Sequence, residues 1–121
     1  MKIKLNNREF DCFLGLEFLG NVIDDLDLNY KEFLDRTNRN PVKFMPLIMF
    51  HSVRYGLIEN DIEIDFDKKQ FLLWIQNEGG ISNVEMKKFS SAFWDSINSN
   101  VPKDEEVEKE AEQESSDTKK K

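Results

Sequence analysis

The sequence PVKFMPLIMFHSVRY, at Pro41–Tyr55, is the most apolar segment of the chain and decides the fold. Asn40 is suited to cap a helix here, Pro41 fits the first helical position, and Gly56 can end the helix. Pro46 removes one backbone donor and should kink the first turns or delay the regular helix. With about 100° between successive residues, apolar side chains point in nearly every direction. The segment therefore predicts a helix that is central in the domain or meets a partner.

The residues before this helix predict a β-hairpin and two further helices. Apolar and polar residues alternate on both sides of Asn6-Asn7 within Met1–Phe13, as in two strands joined by a tight turn. The apolar face of this hairpin consists of Ile3, Leu5, Phe10 and Cys12. Because two strands alone are marginal in water, this face must lie on helices, or the hairpin edge must pair with another subunit. Apolar residues at helical spacing then predict helices over Leu14–Leu26 and about Tyr30–Arg36.

The segment Asp61–Asp67, after the apolar helix, alternates acidic and apolar residues. This pattern superficially matches a calcium loop, but Phe66 and Leu72 stand where an EF-hand requires Gly and Glu. The alternation favours a strand with a solvated acidic face.

Two more helices are predicted in the last part of the domain. Asp67 and Gln70 match the capping-box pattern, and the helix that they begin is stopped by a Gly-Gly pair. Ser82 and Glu85 repeat the pattern before a last helix, which runs to about residue 98. One face of this last helix carries Met86, Phe89, Phe93 and Ile97.

The 121 residues divide into one domain, residues 1–100, and a charged tail, residues 101–121. After Pro102 there is no aromatic residue, and only Val107 and Ala111 are apolar, so the tail is expected to be disordered and dispensable for folding. The predicted fold class is α+β, mostly α. We expect an N-terminal β-hairpin packed on a bundle of about four to five helices, followed by a disordered acidic C-terminal tail.

Charge and hydropathy exclude several classes of partner. The net charge is −7, with −4 in residues 1–100 and −3 in residues 101–121, so both parts repel nucleic acid. The longest apolar stretch, residues 44–50, is far shorter than the about 20 residues that span a bilayer. The N-terminus leads into strand alternation instead of an apolar signal segment. These observations predict a cytoplasmic protein without a membrane or nucleic-acid partner.

No catalytic or cofactor motif is apparent in the sequence. His51 is the only histidine, and no Ser-containing turn motif accompanies it, so it is interpreted as a structural residue at the rim of the core. Cys12 is the only cysteine and is interpreted as a small apolar strand residue, since no neighbouring cation cluster would lower its pKa. We therefore expect a protein-binding function without catalysis, cofactor or metal.

The order of these elements, together with two short motifs, resembles a known family. The motifs are Leu-Gly-Leu-Glu-Phe-Leu-Gly at Leu14–Gly20 and the helix from Asn40-Pro41 to Tyr55-Gly56-Leu57. In this layout the chain resembles the tail assembly chaperones of long-tailed, siphovirus-type bacteriophages. The resemblance implies a non-structural viral protein of the host cytoplasm that holds the tape measure protein while the tail tube polymerises. It further implies reversible masking of apolar surface by several copies, with a homo-oligomer as one arrangement.

The resemblance also gives a meaning to the C-terminal Thr118-Lys119-Lys120-Lys121. In many genes of this family, ribosomes slip backward near the end of the first frame and add a domain that recruits tail tube protein. Consecutive lysines are what an A-rich slip site encodes. The alternative is a solubilising basic end on an acidic tail.

Three apolar residues are candidates for contact with the tape measure protein or other subunits. They are Leu47, Phe50 and Trp94. Leu47 and Phe50 share the Lys43 and Arg54 side of the central helix, and Trp94 lies about 100° off the apolar face of the last helix. The alternative is that all three are ordinary core residues. A different functional class also remains open, namely a small regulatory adaptor that binds one globular partner and whose acidic tail imitates nucleic acid.

Overall fold

The computed structural model describes residues 1–100, and the predicted disordered tail lies outside them. Within this part of the chain there are two strands and five α-helices: β1 (Lys2–Leu5), β2 (Arg8–Asp11), α1 (Leu16–Asp25), α2 (Tyr30–Arg39), α3 (Pro41–Glu59), α4 (Lys68–Asn77) and α5 (Val84–Asn100). A short 3-10 helix, Gly80–Ser82, precedes α5. The predicted α+β, mostly α class with an N-terminal hairpin is confirmed.

The two strands form an antiparallel hairpin in which Ile3 faces Phe10. Asn6 and Asn7 have φ values of 55° and 59°, the left-handed conformation that a tight hairpin turn requires and that Asn tolerates. The apolar face is buried against the helices, with between 1% and 3% of each side chain exposed: Ile3, Leu5, Phe10 and Cys12. Of the two predicted alternatives, the structure therefore shows the hairpin lying on helices.

Two glutamates of the same chain accept hydrogen bonds from β1 and from the turn that follows it. The Lys4 backbone N–H donates to Glu85 Oε1 at 2.8 Å, and the Asn6 N–H donates to Glu78 Oε2 at 2.7 Å. Strand β2 packs against α3 on the other side of the hairpin. One donor of strand β1 and one donor of the hairpin turn thus have acceptors within the domain and are not free to pair with another strand.

Helix α3 is the centre of the domain and extends beyond its predicted end. The prediction that Gly56 ends this helix is wrong, because the helix runs on to Glu59. Regular helix also begins at Pro41, with no delay from Pro46. Proline at position 46 removes the donor to the carbonyl of Val42, a residue that is 65% exposed at the first turn. Nine residues of this helix are buried, which confirms its central position.

The connector between α3 and α4, residues 60–67, is not a strand, so that prediction is wrong. A strand needs a partner strand, and the sheet of the described residues consists of β1 and β2 alone. The connector is instead fixed by side chains. Asp65 lies 3.1 Å from the Arg8 guanidinium, and the buried Phe66 ring stacks on Phe71 with centroids 5.8 Å apart. Asp67 then begins α4 with the predicted capping box.

Helix α5 is capped by Asn83, and the predicted cap at Ser82 is wrong by one residue. The Met86 N–H donates to Asn83 Oδ1 at 3.0 Å, while Asn83 Nδ2 donates to the Glu78 carbonyl at 2.7 Å. Ser82 belongs to the preceding 3-10 helix. Asn is as good an N-cap as Ser, and only Asn has an amide that can also bond the end of α4.

Candidate partner-binding site

A groove at the surface between α1 and α3 combines apolar and charged side chains. It encloses about 330 Å³ and is open to solvent. We call it the α1–α3 groove, and its lining residues used below are Glu17, Phe18, Val22, Asp24, Asp25, His51, Arg54, Tyr55, Ile58 and Glu59.

One end of the groove is built around Tyr55. Its ring lies between Phe13, with centroids 5.9 Å apart, and Phe18, with centroids 6.3 Å apart. Its hydroxyl donates to Glu17 Oε1. That hydrogen bond is the main reason why the pKa of Tyr55 rises from its ordinary value of 10.0 to about 12, so the phenol keeps its proton well into the alkaline range. This part of the groove therefore presents aromatic surface beside the Glu17 carboxylate, which is held by the Tyr55 hydroxyl.

The other end of the groove contains His51 and Asp25. His51 Nδ1 lies 3.7 Å from Asp25 Oδ2, and the side chain is 17% exposed. Burial lowers the pKa of His51 below its ordinary value, and this effect outweighs the opposing one of Asp25. His51 is thus mostly neutral at neutral pH. It lies at the rim of the core, which is the placement that its structural interpretation predicts.

The groove is both acidic and apolar. Its lining includes four carboxylates, those of Glu17, Asp24, Asp25 and Glu59, and its permanent cation is Arg54. Apolar surface also remains accessible, because Ile58 is 50% exposed and Phe13, beside Tyr55, is 36% exposed. A surface of this kind can bind a segment that is apolar on one side and positively charged beside it.

The three predicted contact residues lie elsewhere. Phe50 is 8% exposed, and its ring contacts those of Phe66 and Phe71 at centroid distances of 6.3 and 5.6 Å. It therefore occupies the core position that the alternative interpretation predicts. Trp94 is half-buried against Phe93, with centroids 5.0 Å apart, and Leu47 is half-buried. None of the three lines the α1–α3 groove, and their role in partner contact stays a prediction.

The groove was missed by sequence reasoning for a definite reason. Apolar spacing alone predicts α1, and in the sequence Tyr55 is one of many apolar residues around α3. The relevant signal was the charge imbalance of α1, whose polar face carries Glu17, Asp24 and Asp25 without a basic residue. Which helix lies beside that face is a tertiary fact that the pattern does not contain.

Cys12 is buried, with 2% of its side chain exposed. Burial raises the pKa of its thiol to about 12, although a hydrogen bond with Ser52 acts in the opposite direction. The thiolate is the reactive form of cysteine. Cys12 is therefore unreactive for two reasons, because it is buried from solvent and because its thiol stays protonated.

Within residues 1–100, no three His, Cys, Asp or Glu side chains are grouped so that they could hold a metal ion. In the same residues, no helix has the length and apolar character needed to cross a membrane. Comparison with protein-family models, with curated proteins and with solved structures finds no match to this chain.

Proposed function

We propose that this protein is a phage tail assembly chaperone, which binds the tape measure protein and helps to recruit tail tube subunits in the host cytoplasm. The proposal rests on the resemblance in element order and motifs. The observation that supports it best is the accessible apolar surface at the α1–α3 groove, where Ile58 of the lining is 50% exposed and Phe13, whose ring contacts Tyr55, is 36% exposed. Apolar surface next to a packed core is typical of protein-binding sites.

The mechanism is reversible masking of an elongated helical partner. Each copy covers a short part of the apolar stripe of the tape measure protein, and many copies along the rod add avidity to weak single contacts. Buried apolar area supplies the free energy at about 25 cal/mol per Å². Because each contact is small, tube subunits can displace the chaperone as the tube polymerises.

A second candidate function is a regulatory adaptor that binds one basic globular partner. The observation that favours it is the excess of carboxylates in the α1–α3 groove. The two functions differ in stoichiometry and in salt dependence. An adaptor held by charge should bind once and lose affinity steeply with salt, whereas a chaperone should load in several copies and tolerate moderate salt.

Co-expression with a candidate tape measure protein, a very long helical protein, tests the proposal. We expect copurification at about 0.5 M salt, where charge contacts are screened, and several copies per partner by light scattering. A short globular protein in place of the long helical one is the matched control. A single copy that dissociates at this salt favours the adaptor, and absence of binding to the long helical protein overturns the chaperone proposal.

The recruitment of tube protein is proposed to require a longer product made by frameshifting at Lys119–Lys121. Its test is the nucleotide sequence, which should contain a heptameric A-rich slip site there and an open overlapping frame downstream. Without these features the frameshifted extension is excluded, while binding of the tape measure protein can still be tested by co-expression.

A further inference from the structure

We infer that the α1–α3 groove binds an amphipathic helix of another protein that carries lysine or arginine beside its apolar stripe. The inference rests on the proposed binding function and adds to it the chemistry of the segment that is recognised. The observation behind it is the juxtaposition of an exposed apolar residue, Ile58, with four carboxylates that line the same groove.

The apolar part of the groove is already formed in the free protein. Phe18 and Val22 lie beneath it and are 2% and 1% exposed, so they belong to the packed core. Tyr55 is fixed from above by its hydrogen bond to Glu17 and by the neighbouring rings. A partner therefore meets a surface whose contacts are already formed, which reduces the entropic cost of binding.

The charged part of the groove selects a basic segment. Asp24, Asp25 and Glu59 have no salt bridge to Lys or Arg among the described residues. Arg54 is the one permanently charged cation of the lining, and His51 is mostly neutral because burial lowers its pKa. A cationic side chain placed here is attracted by several carboxylates at once. A second copy of the domain, with net charge −4 over residues 1–100, is repelled at long range.

The groove also selects a helix over an extended chain. Both of its walls are helices whose backbone groups are bonded internally, so the walls offer no row of free donors for an added strand. Recognition must then use side chains, as when an amphipathic helix lies in a groove with apolar anchors every three or four residues. Lysines beside those anchors can reach the carboxylates of the lining while their stems lie along the exposed side chain of Ile58.

The inference is tested by calorimetric titration of the full chain with a synthetic peptide of about 18 residues that has leucines at every third or fourth position and flanking lysines. The control peptide has glutamate at each lysine position. We expect binding of the lysine peptide and at least about tenfold weaker binding of the glutamate peptide, because four carboxylates repel it. Equal affinity for the two peptides overturns the inference.

Variants then locate the binding site. Ile58→Ser and the double variant Asp24→Asn with Glu59→Gln should each weaken binding of the lysine peptide at least about fivefold. The matched controls are Leu73→Ser and Glu63→Gln. Leu73 is 51% exposed, as Ile58 is 50% exposed, but it lies on α4. Unchanged melting temperatures show that each variant is folded. Equal losses at Ile58 and Leu73 would mean general adhesion to apolar surface and would contradict the inference.

One other occupant is the lysine run of this chain. If the triple variant Lys119→Ser, Lys120→Ser and Lys121→Ser binds the peptide tenfold or more tightly than the parent chain, the lysine run is the resident occupant of the groove and the inference is overturned. Failure of the site and failure of the proposed function are distinguishable. Peptide binding at Ile58 without tape measure binding refutes the function alone, and tape measure binding that ignores Ile58→Ser refutes the site alone.

Discussion

Gly56 of α3 lies directly against the backbone carbonyl of Asp11 in β2. A Cβ atom on residue 56 would be 2.3 Å from the Asp11 oxygen and 3.2 Å from its carbon. Both atoms belong to the backbone and cannot rotate away. This contact explains a glycine inside a helix, where it is about 1 kcal/mol less favourable than alanine. The residue that looks like a helix stop is therefore the point where hairpin and central helix meet.

Substitution of Gly56 by alanine should destabilise the protein, although alanine is the better helix former. We expect the free energy of unfolding to fall by about 1–3 kcal/mol, the usual cost of overpacking. The control is Gly20→Ala in α1, where a Cβ meets nothing within 4 Å, and this variant should gain up to about 1 kcal/mol. Urea unfolding measures both. A stabilised Gly56→Ala variant would show that the hairpin does not lie this close to α3.

The elements that could be predicted from the sequence are those with strong local signals. Alternation around Asn6-Asn7 predicts the hairpin, and the Asp67 and Gln70 pair predicts the start of α4. Both predictions succeed because each signal acts within a few residues. The end of α3 could not be predicted, since the reason for Gly56 lies in Asp11, distant in sequence. The strand at Asp61–Asp67 was predicted wrongly, because alternation describes one face of a chain and does not supply a partner edge.

The cap of α5 provides a second prediction, in which neighbouring residues are compared. Asn83→Ala should lower the free energy of unfolding by about 1–2 kcal/mol, because it removes the N-cap bond to Met86 and the bond to the Glu78 carbonyl. Ser82→Ala should change it by less than about 0.5 kcal/mol. Thermal melting compares the two variants. A larger effect at Ser82 would restore the cap position that the capping-box pattern indicated.

The candidate site was less predictable than the fold. Hydrophobic periodicity identified α1 and α3 separately, but a groove is a property of their contact. The exposed fraction also differs between apolar residues of the same helix, and the sequence pattern does not distinguish them. Phe50 and Ile58 are both apolar residues of α3, yet Phe50 is 8% exposed and Ile58 is 50% exposed.

His51 makes stability depend on pH. Its pKa in the folded protein is lowered below the ordinary 6.5, mainly by burial, with Arg54 and Lys68 adding to the effect and Asp25 opposing it. As pH falls, the unfolded chain therefore takes up this proton first. The contribution of His51 to stability is complete above about pH 6.5 and is lost as pH falls towards the folded-state pKa.

His51→Gln should remove this dependence. Between about pH 7.5 and about pH 5.5, the unfolding free energy of the parent protein should fall more steeply than that of the variant. Urea unfolding at several pH values measures both slopes, and the carboxylates common to the two proteins largely cancel in the comparison. Parallel slopes would mean that His51 titrates alike in the folded and unfolded chains.

The last prediction separates packing from partner contact at Phe50, Leu47 and Trp94. Phe50→Ala should lower the free energy of unfolding by about 3–5 kcal/mol, because the ring is packed against Phe66 and Phe71. Leu47→Ser should cost about 1 kcal/mol or less, since this side chain is only half-buried. The loss of unfolding free energy for Trp94→Ser should lie between these two values, because the substitution removes a ring that packs against Phe93.

Each variant is then tested for copurification with the tape measure protein, at a temperature where all three are folded. Weaker copurification of the folded Leu47 and Trp94 variants would support their contact role, whereas unchanged copurification would leave partner binding to other surfaces, with the α1–α3 groove the first to examine.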